Sequence, residues 1–377
     1  MTRTVPPAKP YFSEDDIRQI TSFTEEIVRS GMLTSHEFVR RFEEEFARLS
    51  NTKYSIAVSS GTAALEAVLR SLDLGQDDEV IVPTNTFTAT ACAVLSVGAR
   101  PVMCDINANT LCADPQDIVS RISPRTRAVI VVHIGGLISP QINEIKEMCD
   151  DHGISLVEDA AHAAGSRLGQ TPAGATGSAG CFSFYPTKVI TTGEGGMIAT
   201  NDRGIHEKAL TLRDDGKQRV DGNSIVELGY NWRMQEISAA IGLVQLKRLG
   251  EILDKRNRIA RFYDEELVGL NNLSPLDVPS DVSTNRYKYV VIVDEDVDRD
   301  LMKERLRQAG VICGGEVYWP PLHLQPAYQR ELGTKEGDFP VAEHICRRMM
   351  CLPLYTGMSM TEAEYVTEKV EELFSAV

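Results

Sequence analysis

Lys188 is the residue with the most chemistry to offer. It lies between two short apolar runs, Cys181 to Phe184 and Met197 to Ile198, and is hemmed in by Pro186, Gly193, Gly195 and Gly196. Such a run folds as a tight loop, not as a solvated helix face. A lysine held there is desolvated, which favours its neutral amine, and a neutral amine adds to carbonyls to form Schiff bases. Taken alone it also reads as a surface lysine in a turn. Asp159 closes an apolar strand in Leu156-Val157-Glu158-Asp159-Ala160-Ala161-His162. A carboxylate beside small alanines needs a cationic partner, and a protonated pyridine nitrogen would serve. Paired in this way, the ring becomes an electron sink. Phe87 could lie against the face of that ring and His162 could donate to its phenolic oxygen. Singly, Phe87 reads equally as core and His162 as a structural histidine. Upstream, the strand Tyr54 to Val58 runs into Ser59-Ser60-Gly61-Thr62 and a helix-forming stretch, so free N–H groups and the helix dipole would face an anion. An ordinary N-cap fits the same residues.

The elements that must position these groups follow from hydrophobic periodicity. Ile17, Ile20, Phe23 and Ile27 mark a helix entered at Ser13 and closed by Gly31, and Phe38, Phe42, Phe46 and Leu49 mark a second that ends at Asn51. Five runs rich in β-branched and apolar residues then start at Glu79, Arg100, Arg127, Ser155 and Gly180, with helical spacing between several of them, most clearly from Ile142 to His152. Continuous apolar strands alternating with helices predict a mostly parallel sheet covered on both faces, with ligands at the carboxyl ends of the strands. Those ends carry Gly61-Thr62, Thr86-Phe87, His133, Asp159 and, in the following loop, Lys188. Gln235 to Leu267 is expected as one long helix or a broken pair. Beyond it the texture changes: Tyr287 to Val293, Val311 to Ile312 and Cys351 to Leu354 as strands, Arg299 to Ala309 and Thr361 to Phe374 as helices. The expected division is a large domain over residues 1–250 and a smaller α+β domain over 251–377.

Composition narrows the function classes. The 377 residues carry a net charge of −15, and without a Lys/Arg cluster a nucleic-acid backbone is not an expected partner. The eight cysteines include no Cys-x-x-Cys and no zinc-like spacing. They fit reduced core residues of a cytoplasmic protein, and no metal site is expected. The best apolar run, Ala128 to Ile138, is broken by His133 and two glycines, so no membrane span is expected. No Gly-x-Gly-x-x-Gly follows a strand, which argues against a nicotinamide oxidoreductase.

Six blocks occur in order around the lysine: Ser59 to Leu65, Pro83 to Thr90, Glu158 to Ala163, Phe182 to Lys188, Gly193 to Met197 and Gly229 to Met234. Together they resemble the pyridoxal-phosphate-dependent sugar aminotransferases of the DegT/StrS group, over nearly the whole chain. The resemblance implies the fold type I, aspartate-aminotransferase-like architecture. It implies that Lys188 holds pyridoxal 5'-phosphate as a Schiff base and then moves the proton. Asp159 would pair with the pyridine nitrogen, Phe87 would stack on the ring and His162 would contact the ring oxygen. Gly61, Thr62 and Ser183 would hold the phosphate, which Asn231 reaches from a neighbouring subunit, so a homodimer is implied. Tyr318 and His323 match a segment that faces the substrate.

The implied reaction moves an amino group from glutamate or glutamine to a keto sugar, foremost a nucleotide-linked keto-deoxysugar. A keto-cyclitol such as scyllo-inosose is an alternative substrate, and a non-catalytic regulator that binds the same cofactor is an alternative role. The dehydratase branch of the group has histidine where Lys188 stands. One departure concerns the substrate: many relatives carry Tyr and Gln after the central strand's histidine, where this chain has Gly135 and Leu137.

Overall fold

Residues alternate between two apolar layers along each central strand, and this alternation builds the middle of the molecule. In the computed structural model, which describes residues 4–217, 224–314 and 317–375, Ile56, Val58, Val80, Val82, Ile130 and Val132 pack on one side of a sheet. Their neighbours Ala57, Ile81, Val129 and Val131 pack on the other. The sheet has seven strands: β1 (Tyr54–Val58), β2 (Glu79–Pro83), β3 (Arg100–Cys104), β4 (Thr126–Val132), β5 (Ser155–Asp159), β8 (Ala179–Ser183) and β9 (Gly196–Thr200). Their order is β1-β9-β8-β5-β4-β2-β3. All neighbouring pairs are parallel except those with β9, which runs against both β1 and β8. The short strands β6 (Arg167–Leu168) and β7 (Thr171–Pro172) form a separate small ribbon with β11 (Val282–Ser283).

Helices cover both faces. On one face lie α3 (Gly61–Ser71), α4 (Thr88–Ser96) and α7 (Arg203–Arg213). On the other lie α2 (Glu37–Ser50), α6 (Ile142–Asp151) and α8 (Glu236–Lys247), where Phe46 meets Phe182 and Phe184 at ring separations of 4.8 and 5.6 Å. Burying one such phenyl ring contributes roughly 1.5–3 kcal/mol. The first helix, α1 (Glu14–Ser30), begins with a capping box from Ser13 and Asp16 and ends on Gly31 at φ 72°. α2 ends on Asn51 at φ 52°. The N-terminus of α2 lacks a local side-chain cap; instead the buried Glu236 carboxylate accepts from the N–H groups of His36, Phe38 and Val39.

The segment expected as one helix or a broken pair is the pair, α8 and α9 (Leu249–Glu266). Leu249 and Ile252 belong to the layer beneath the sheet, whereas Ile259, Ala260 and Tyr263 belong to a third apolar cluster. That cluster is closed by β10 (Leu273–Pro275), β12 (Tyr289–Val293) and β13 (Met349–Leu352), which form one antiparallel sheet. α10 (Arg299–Gln308) and α13 (Met360–Phe374) complete it; α5 (Pro115–Arg121) joins the α2 side of the large sheet through Ile118, and α11 (Pro326–Leu332) and α12 (Pro340–Arg348) join the α3 side through Tyr328, Ala342 and Ile345. Val311 is not in a strand as expected. It makes a single parallel bridge to Val5, which places the N-terminal segment inside this third cluster. Among the described residues no helix is long and apolar enough to cross a membrane.

Candidate active site

A cleft of about 500 Å³ opens along the carboxyl ends of the parallel strands. The turn after β1 brings Gly61 and Thr62 to it, the turn after β2 brings Phe87, the end of β5 brings Asp159 and His162, and the end of β8 brings Ser183 and Lys188. Seven of the ten residues singled out from sequence are thus gathered by the ends of four strands. An eighth, Tyr318, arrives from the C-terminal part of the chain.

Lys188 is half-buried, with its ammonium 4.8 Å from the centre of the Tyr287 ring. Burial pushes its pKa below the ordinary lysine range, against the pull of Tyr287 and Asp159. Asp159 is buried on the floor. Its Oδ2 accepts from the Thr90 hydroxyl at 2.8 Å and its Oδ1 from the Ala161 N–H at 3.2 Å. Thr90 spends its proton on Asp159 and so accepts from Thr86, 2.7 Å away. Burial raises the Asp159 pKa despite these donors and despite Lys188. A cation opposite this carboxylate would oppose that rise.

His162 Nδ1 accepts from the Gly135 N–H at 3.3 Å, so its proton sits on Nε2, the nitrogen that faces the Tyr318 hydroxyl at 3.2 Å. Burial, then the positive charges of Lys188 and Lys288, hold its pKa well below 6.5. The ring is therefore a neutral donor at its cleft end. Phe87 is 56% exposed, which excludes the core reading, and its ring lies 5.9 Å from that of Tyr318 across the cleft mouth.

The phosphate reading can be tested on geometry. Ser60 caps α3 by accepting from the Ala63 N–H, and the Ala64 N–H donates to the Ser60 carbonyl, so the N–H groups of Gly61 and Thr62 have no hydrogen-bond acceptor among the described residues. A Cβ on Gly61 would stand 2.9 Å from Ser183 Cβ, so only glycine lets this helix start lie against the end of β8. The result is a concave cradle of free donors at the positive end of a helix, flanked by two hydroxyl side chains. It fits a phosphate.

Two of the singled-out residues lie elsewhere. Asn231 is exposed on the segment that returns from Asp214, to which it is bridged, and does not line its own chain's cleft. His323 does not face the substrate cleft. Its ring is fully buried: Thr84 Oγ1 accepts from the His323 N–H at 3.2 Å and donates to Nδ1 at 2.6 Å, and Nε2 donates to Glu343 at 2.9 Å. Polar neighbours, not a ligand, account for that histidine. Sequence reading also gave no role to Thr90, Tyr287 and Lys288. Thr90 stands within a quoted block, three residues past Phe87. Tyr287 was expected as the first strand residue, but β12 begins at Tyr289, so Tyr287 and Lys288 precede the strand and line the cleft. Among the described residues no group of three or more His, Cys, Asp or Glu side chains could hold a metal.

The model of the DegT/DnrJ/EryC1/StrS aminotransferase family matches residues 14–371. The chain belongs to this family. It is 36% identical to the spore coat polysaccharide biosynthesis protein SpsC of Bacillus subtilis, over 98% of this chain and 97% of that one. It is 32% identical to the GDP-perosamine synthase of Vibrio cholerae, over 94% and 96%. Among solved structures, DesV of S. venezuelae superposes with a TM-score of 0.94 at 31% identity, covering all of both chains. The PLP form of the putative sugar aminotransferase Spr1654 of Streptococcus pneumoniae does so with 0.92 at 29%, covering 99% of each. The architecture is that of the fold type I enzymes, the cofactor is pyridoxal 5'-phosphate, and the chain is a sugar aminotransferase.

Proposed function

We propose that this aminotransferase moves an amino group from glutamate or glutamine to the ketone of a nucleotide-linked sugar. The single observation that carries the reading is the convergence of Lys188 and Asp159 in one cleft whose far end is the α3 cradle. The GDP-perosamine synthase relative supports the nucleotide-linked class. In this reading Asp159 faces the pyridine nitrogen, Phe87 and His162 hold the ring, and Gly61, Thr62 and Ser183 take the phosphate. Tyr318 borders the substrate.

The bound cofactor supplies an electron sink for the negative charge left when a C–H bond of the donor breaks. The chain supplies the rest. Lys188, with its pKa lowered by burial, is a competent base once its amine is free, and moves the proton between the two carbons involved. A base positioned in this way contributes roughly 10²- to 10⁴-fold. Tyr287, whose hydroxyl lies 3.1 Å from Thr187, keeps that amine over its ring. Burial raises the Tyr287 pKa, but the charges of Lys188 and Lys288, with hydrogen bonds to Thr187 and Lys188, bring it below its ordinary value. His162 donates from Nε2 and, being neutral, adds no charge to the floor.

We further infer a homodimer in which Asn231 reaches the phosphate in the partner subunit's cleft, since it is exposed and turned away from its own. A division into a large domain up to residue 250 and a smaller one from 251 agrees with α9 passing from one apolar cluster to the other. Eight free cysteines, most of them buried, support a cytoplasmic location. The test is a panel of nucleotide-linked keto sugars and keto-inositols assayed with glutamate. Turnover of a nucleotide-linked member is expected; turnover of the keto-inositols alone would replace the substrate class, and no turnover of either would remove both.

A further inference from the structure

Lys288 is a cation in the cleft with no assigned task. It lines the same cavity as Lys188, and its ammonium stands 5.2 Å from the centre of the Tyr287 ring. No carboxylate of the described residues pairs with it. The other charged lining groups are Lys188, Asp159 and the exposed Glu194. Once the cofactor takes Lys188 and Asp159, Lys288 is the positive charge left over beside the substrate space.

Its position is built, not incidental. The segment from Thr284 to Lys288 is pinned on three sides. Asn285 donates to the carbonyls of His162 and Ala164 at 2.8 and 3.0 Å, and Gly136 has no room for a Cβ because Asn285 Oδ1 would stand 2.1 Å from it. The Lys288 N–H donates to the Gly135 carbonyl at 3.0 Å. Arg256 is buried without a carboxylate partner among the described residues, and its guanidinium donates to the carbonyls of Asn285, Arg286, Tyr287 and Leu354 at 3.3, 2.6, 3.1 and 3.3 Å. A buried guanidinium is costly where its donors go unused, and the bonds to these four carbonyls come from Nε and Nη2. Here it is spent on holding the residues that carry Tyr287 and Lys288 into the cavity. Gly135, at φ 62°, sits where a side chain would meet Lys288 Cβ at 3.7 Å, so the departure from the family pattern noted above leaves space beside this lysine.

We propose that Lys288 forms an anion subsite of the cleft that binds an oxyanion of a substrate. It is distinct from the α3 cradle, which takes the cofactor phosphate. Two sources share the chemistry: a carboxylate of the amino donor and the diphosphate of a nucleotide-linked sugar. The inference rests on the aminotransferase reading but not on the nucleotide.

The test uses the holoenzyme in three forms, wild type, Lys288→Met and Lys288→Arg, with the visible absorbance of each confirming that the cofactor is bound. Calorimetric titration with glutarate reports the donor arm, and titration with GDP and dTDP reports the nucleotide arm. A charge-assisted hydrogen bond is expected to make Lys288→Met bind one probe class more weakly by on the order of tenfold or more, while Lys288→Arg stays within about threefold of wild type. The class that weakens names the anion. Dependence of glutarate on Lys288 with no nucleotide binding by wild type keeps this subsite and removes the nucleotide-linked substrate. The subsite is overturned if all probes bind Lys288→Met within about twofold of wild type. It is equally overturned if Lys288→Arg is as weak as Lys288→Met, or if neither class binds the wild-type protein.

Discussion

The two walls of the cleft are built in opposite ways. One wall is made of short turns at the ends of parallel strands, where Asp159, His162, Ser183 and Lys188 lie within thirty residues of one another on β5, β8 and the loops after them. The other is made of Tyr287, Lys288 and Tyr318, about a hundred residues further on, and is held by the long-range contacts of Asn285 and Arg256. The first wall inherits its geometry from the sheet and carries the chemistry. The second depends on one irregular segment and is free to vary with the substrate.

The contrast predicts separable damage. Lys188→Ala should lower transamination by at least about 10³-fold, given that a positioned proton carrier and a covalent anchor are lost together. It should also leave no cofactor attached to the chain after borohydride reduction, as read by mass spectrometry. Folding stability should hardly change, because the lost group is half-buried and has no ion-pair partner among the described residues. Near-wild-type turnover would remove the first wall from the chemistry.

A middle-sized effect is expected from Arg256→Met. Four carbonyls lose their donor in a buried place, which should cost about 2–4 kcal/mol, measurable as a shift of the urea midpoint. The visible spectrum of the bound cofactor should survive while substrate KM rises, because the damage lies in the second wall. Loss of colour with unchanged KM would erase the distinction between the walls.

The smallest effect belongs to His162. Its folded pKa lies well below its ordinary value of 6.5, so under mildly acidic conditions the unfolded chain binds more protons than the folded one. Stability is therefore full above about pH 6.5 and is lost as pH falls below it, by up to about 1.4 kcal/mol per pH unit for this group alone. His162→Gln, which keeps an acceptor for Gly135 and a donor for the cleft, should flatten that part of the pH dependence. Urea midpoints at pH 7.5 and 5.5 for both chains decide the matter, and parallel losses would mean that the ring charges freely.

The same division governs what could be read from sequence. Alternating strands and helices made β1 to β5, β8 and the carboxyl-end location legible, because hydrophobic periodicity and turn residues are local signals. Lys188 and Asp159 were legible for the same reason. The role of Glu236 was not: it caps a helix two hundred residues earlier, and nothing near either residue announces the pairing. His323 misled because a histidine between apolar residues looks the same whether its partners are a ligand or Thr84 and Glu343. Tyr287 and Lys288 were hidden by a strand that begins two residues later than its apolar pattern suggests.

The bridge between Val5 and Val311 has a consequence for biosynthesis. A ribosome adding roughly 5–20 residues per second needs about 15–60 s to pass from one of these positions to the other. Throughout that interval the leading segment has no seat to occupy. β1 must wait likewise for β9, its pairing partner in the sheet. The nascent polypeptide thus emerges with the segment around Val5 unclaimed, and only the stretch around Val311, made much later, fastens it.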